Sequence, residues 1–130
     1  MGDSLLTELS FEDYVDRSLV PSTVIRLPVA GTSDEKLWIV AAREPELILL
    51  PVIFEIPEAE RTDPGLRARL VAVTPEHLSY LTTNAWIDCN SPHSEFSYNE
   101  IKAILVGEPT RIVGNFRKQV MLRVGKARSG

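Results

Sequence analysis

The chain is poor in the groups that most chemistry needs. One cysteine, Cys89, in 130 residues rules out an intramolecular disulfide and points to a reducing compartment, in the simplest case the cytoplasm. Two histidines, His77 and His93, are scant material for a metal centre or a relay. Apolar runs such as Leu47–Phe54 are far too short to cross a bilayer, so no membrane partner is expected. The first eighteen residues have no cationic segment ahead of an apolar one, so they do not read as a signal peptide. No glycine-rich phosphate loop and no Gly-x-Ser-x-Gly elbow occurs, and no cofactor is expected. Hydrophobic residues make up 44%, enough for one domain over residues 1–130.

Charge is scarce in a patterned way. Residues 1–16 carry five acids (Asp3, Glu8, Glu12, Asp13, Asp16) and no base. Residues 110–130 carry six bases (Arg111, Arg117, Lys118, Arg123, Lys126, Arg128) and no acid. The plain expectation is that the two terminal segments lie together and balance. The net charge of −4 works against a general nucleic-acid binder.

The apolar patterning predicts a mainly β, α+β chain. Residues 1–20 read as an N-terminal helical segment, with Leu5, Leu6, Leu9, Tyr14 and Val15 on one face and Asp3, Ser4 or Ser10 as caps. Extended segments follow at Thr23–Val29, Leu37–Ala42, Glu46–Glu55, Ala68–Val73 and Asn84–Cys89. Pro28 suggests an edge strand, and Pro51 a break. The run Leu37–Ala42 is apolar throughout, which implies burial on both faces. Residues 56–67 read as a loop turning at Asp63-Pro64-Gly65. Ser97 with Glu100 is a capping box and Phe96 with Ile101 a hydrophobic staple, which predicts a helix over 98–106. Gly107 is expected to end it in the left-handed conformation, ahead of Pro109. Arg111–Val113 reads as a short strand. Phe116, Val120 and Val124 then predict a C-terminal helix over 115–126. Consecutive strands imply an antiparallel sheet, either a small barrel around a shared apolar centre or a strongly twisted sheet.

Four constellations are candidates for chemistry. Cys89 with His93 could pair a nucleophile with a base, but alternation puts Cys89 on the face of Ile87, where a thiol acts as a small hydrophobe. Asp88, His93, Glu95 and His77 match no metal-ligand spacing. Arg61, Arg67 and Arg69 could hold phosphate, yet Glu58, Glu60 and Asp63 are interleaved with them, as in a solvated loop. Trp38 reads as core, and Trp86 fits either the core or a surface on which bases stack.

The order of elements resembles that of the MazF/PemK-type toxins of toxin–antitoxin pairs. Three stretches carry the likeness: Glu46–Phe54 (ELILLPVIF) is similar to the central strand, Ala85–Asn90 (AWIDCN) to the later strand entering a polar loop, and Arg111–Met121 (RIVGNFRKQVM) to the closing segment. The resemblance implies a small antiparallel SH3-like β-barrel with N-terminal, middle and C-terminal short helices. It also implies a homodimer, an antitoxin-like protein partner and, in an active member, cleavage of single-stranded RNA. Both catalytic positions depart from the pattern. Where that family has an arginine, typically before proline, this chain has DEKLWIVAA with Lys36. After Pro51-Val52, where a hydroxyl is expected, it has Ile53 and Phe54. The resemblance therefore implies a toxin–antitoxin-type protein that is non-catalytic or has an altered site. Arg26, Lys36, Arg61 and Trp86 are the residues to examine for RNA contact. The alternative is a non-enzymatic interaction module. A cysteine-dependent enzyme ranks third.

Overall fold

Each apolar run becomes a strand because alternate side chains can be buried on the two faces of one sheet. The strands are β1 (Thr23–Pro28), β2 (Glu35–Ala42), β3 (Ile48–Ile53), β4 (Leu70–Val73), β5 (Ala85–Asp88) and β6 (Ile112–Asn115). They pair in the order β4-β5-β3-β2-β1-β6, antiparallel throughout. The computed structural model describes residues 11–90, 92 and 96–129. Among the described residues five α-helices accompany the sheet: α1 (residues 11–18), α2 (Glu58–Thr62), α3 (Pro64–Arg67), α4 (Tyr98–Gly107) and α5 (Lys118–Ser129). None of them is long and apolar enough to cross a membrane. The predicted caps at Asp3, Ser4 and Ser10 lie outside the described residues, as do His93 and Glu95.

The protein is α+β, and its sheet curls into a half-barrel. β4 and β6 remain edges, so the expected closure is incomplete. The single shared centre is replaced by two cores. One face buries Val24, Ile39, Leu50, Val52, Val71 and Ile87 against Phe116, Val120 and Val124 of the closing segment and α5. The other buries Ile25, Trp38, Val40 and Leu49 against Val15 and Leu19 from the α1 segment and Ile101 and Leu105 of α4. The middle strands are apolar throughout because both faces are covered, as the run in β2 predicts. Each large side chain fully buried this way contributes about 1.5–3 kcal/mol.

Several local expectations are corrected. β1 is interior to the sheet; Pro28 is tolerated because the β6 ladder reaches only Thr23–Ile25. β3 runs unbroken through Pro51, since pairing with β5 starts at Val52 and demands no N–H before it. Tyr14 points outward, while Val15 and Leu19 carry the apolar contact. Ser97 caps α4 as predicted, its Oγ accepting from the Glu100 amide at 3.1 Å. Gly107 stays helical and keeps a negative φ. Pro109 forces Glu108 out of the helical region instead, at φ −149° and ψ 82°. α5 starts at Lys118, because Asn115 is still paired with Thr23 in the sheet. Residues 58–67 form two short helices, with Asp63 capping the second through Gly65 and Leu66. α1 and α5 lie on opposite faces, so the described acids of α1 do not meet the bases of α5.

Gly114 sits in β6 at φ 152°, where an added Cβ would come within 2.7 Å of Leu78 Cδ1. Closure of the curled face at this corner therefore needs a residue without a side chain.

Candidate functional site

The face covered by α5 reaches solvent at the Arg26, Glu35 and Val52 end of β1, β2 and β3. A cross-strand row on that face runs Arg26–Leu37–Val52–Ile87–Val71. Its first member is polar because it reaches the mouth. There a cleft of about 240 Å³ is lined by Arg26, Glu35, Lys36, Leu37, Val52, Phe54 and Tyr80. Its floor is apolar. Two aromatic rings stand in solvent beside it, Phe54 at 52% exposure and Tyr80 at 47%. Mouths of barrels are common ligand sites, combining an apolar floor with a few convergent polar groups.

The polar rim is an ion network. Arg26 Nη1 donates to Glu35 Oε2 at 2.5 Å. Arg111 reaches the other oxygen, Glu35 Oε1, at 2.8 Å, and Glu108 Oε2 at 2.8 Å. Glu108 Oε1 also lies 3.8 Å from Arg26. The two arginines and two glutamates pair with one another, and Lys36 stands outside this network. The Arg26 guanidinium holds the Glu35 carboxyl below the usual carboxylate range, with help from Arg111. The same contact pushes Arg26 up. Lys36 Nζ sits 4.7 Å over the Trp38 ring, the geometry of a cation–π contact.

Of the four residues singled out for RNA contact, Arg26 and Lys36 meet at this cleft. Arg61 is on α2, where its guanidinium donates to the Ile56 carbonyl at 3.0 Å. Trp86 is half-buried on β5, on the opposite face from Ile87 and beside Ile53 and Ala72. Neither lines the mouth. Phe54, Tyr80, Glu35, Glu108 and Arg111 were not anticipated. Tyr80 stands out only in the structure, where Leu78 and Leu81 around it are both buried and it is not. Phe54 was hidden inside an unbroken apolar run.

Cys89 lies in the core beside Ile87, 1% exposed. Burial, then the Asp88 charge, pushes its thiol up to about 11, so little thiolate forms at neutral pH. His77 closes a turn, its Nδ1 accepting from the Thr74 amide at 3.0 Å. Asp88 accepts from the Asn90 amide at 2.9 Å. Among the described residues, no three His, Cys, Asp or Glu side chains converge on a metal-sized site.

A second polar cluster ties three elements together. Arg43, just past β2, donates to Asp16 of α1 at 3.0 Å and to the Tyr98 hydroxyl of α4 at 3.0 Å. Tyr98 donates in turn to Asp16. Burial and the neighbouring Asp16 push the Tyr98 hydroxyl up to about 12, so it remains a donor. This cluster fastens α1 and α4 on the face opposite α5 and offers no reactive group.

Comparison with models of known protein families finds no match, and comparison with curated proteins finds none either.

Proposed function

We propose that this chain is a MazF/PemK-like protein, with the SH3-like form of the curled sheet, that binds a protein partner at the half-barrel mouth rather than cutting RNA. The observation that carries this reading is the cleft itself. Two half-exposed aromatics stand over an apolar floor, beside a rim whose two arginines are already paired with Glu35 and Glu108. Aromatic anchors with a satisfied polar rim suit a protein contact. An RNA backbone would instead favour uncompensated cations. The absence of a cutting step is supported at both catalytic positions. Lys36 stands where an arginine is expected, and Val52, Ile53 and Phe54 carry no hydroxyl. Acid–base cleavage needs groups that hold phosphate and move a proton. A homodimer and a cytoplasmic setting belong to the same reading, and residual contact with single-stranded RNA falls to Arg26 and Lys36.

The test combines binding and cleavage. The purified chain is expected to leave single-stranded RNA intact and to bind the product of an adjacent gene. Phe54→Ala with Tyr80→Ala is expected to weaken that binding at least tenfold while the urea midpoint barely moves. RNA cleavage abolished by Arg26→Ala would overturn the reading.

A second reading, an interaction module unrelated to those toxins, is favoured by α5. Its segment carries Arg117, Lys118, Arg123, Lys126 and Arg128 without an acid, and Leu122 is 61% exposed. Among the described residues none of these bases enters an ion pair. Binding lost on Lys118→Glu with Arg123→Glu, but kept in the aromatic double variant, would select it.

A further inference from the structure

The connection between β3 and β4 is held to the body in an unusual way. Across α2 and α3 a single residue is buried, and it carries a carboxyl: Glu60, 8% exposed. What it meets is another carboxyl, Asp88 at the end of β5, 4% exposed and hydrogen-bonded to it. Two carboxylates cannot bond to each other; one must carry a proton and donate it. Asp88 already accepts the Asn90 amide at 2.9 Å. Glu60 Oε2 is buried with no hydrogen-bond partner, a position that favours a protonated carboxyl over a charged one. The residues after Asp88 hold the same connection: Asn90 Nδ2 donates to the Leu66 carbonyl at 2.8 Å and the Cys89 amide to the Arg69 carbonyl at 3.0 Å.

We infer that residues 58–67 form a flap latched to the end of β5 by a proton shared between Glu60 and Asp88, closed while the proton is held and loosened when it leaves. Loss of the proton turns the segment's one buried anchor into a charge facing a charge. The groups that could soften this are committed elsewhere. Arg69, ahead of β4, donates from Nη2 to the Arg128 carbonyl at 3.3 Å, and its Nε is buried without a partner. Arg69 and Arg128 both act on the neighbouring Cys89 thiol. Among the described residues neither forms an ion pair with Glu60 or Asp88. On α2 itself Arg61 turns back to the Ile56 carbonyl, and Glu58 is exposed. Burial, then the bond and charge of Asp88, pushes Glu60 up to about 7, so the latch would work across neutral pH.

Amide hydrogen exchange on the full chain, corrected for the intrinsic pH dependence, tests this at pH 5.5 and 8.5. Protection of residues 58–67 is expected to fall roughly tenfold or more at the higher pH, one pK unit being a factor of ten, while β2 and β3 hold. Glu60→Gln keeps a donor that cannot titrate, and should remove the pH dependence with the flap closed. Asp88→Asn is the second variant, with the same expectation. Flap protection that ignores pH in the wild type, or a pH response that survives in either variant, would overturn the latch.

Discussion

Two acidic sites lie at different depths of the same sheet, and they solve opposite problems. At the mouth, Glu35 faces two guanidiniums and is held charged. Below β5, burial and then Asp88 push Glu60 the other way, toward its protonated form. The residue type is the same; the neighbours decide its state. An ion network at a wet rim contributes little to stability but orients the groups a partner meets. A buried acid pair contributes strongly in one protonation state and opposes folding in the other.

The largest expected effect breaks the inner pair. Asp88→Ala leaves the Asn90 amide and the Glu60 carboxyl without partners inside the protein, and should cost about 3 kcal/mol in urea unfolding at pH 6. A loss under about 0.5 kcal/mol would mean the pair holds nothing.

Next comes pH, where the two sites should pull in opposite directions. Glu60 keeps its proton to about 7 when folded but only to its ordinary 4.5 when unfolded. Its contribution is therefore full below 4.5, falls as pH rises through that window by no more than about 1.4 kcal/mol per unit, and is level above 7. Glu35 is shifted below 4.5. Its contribution is present above 4.5 and is lost as pH falls through the folded value. Urea midpoints measured from pH 3 to 9 should show both limbs, and Glu60→Gln should flatten the upper limb alone.

A smaller effect concerns the thiol beside the inner pair. Cys89 should react with an alkylating reagent only as fast as the fold opens, and far faster in urea. Ready alkylation of the native chain would place the sulfur outside the core described here. The smallest effect is at the rim: Glu35→Gln should lower the urea midpoint slightly, and the difference should shrink in 1 M salt as screening removes what the network adds. A loss as large as that of Asp88→Ala would erase the contrast between the two sites.

The fold was largely legible because burial leaves a periodic mark. β2 read as a strand covered on both faces from its unbroken apolar run, and α4 from Ser97, Glu100 and Ile101. Cys89 read as core from its alternation with Ile87. What stayed hidden depends on contacts distant in sequence. Glu60 looked like one acid among alternating charges, and nothing near it announces Asp88, 28 positions along the chain. The mouth needed strand register, since Arg26, Glu35 and the Glu108–Arg111 pair come from three separate segments. Half of the suggested contact set, Arg26 and Lys36, reached the cleft; Arg61 and Trp86 did not, because α2 and the far face of β5 carry them elsewhere. The two-core arrangement was missed because a barrel and a covered open sheet place the same apolar residues on the same strands, and only the edges tell them apart.

Carboxyl carbon chemical shifts of Glu35 and Glu60, followed through one NMR pH titration of the wild-type chain, measure the central contrast directly. The account predicts a Glu35 midpoint below 4.5 and a Glu60 midpoint near 7. Both residues titrating together near 4.5 would contradict it.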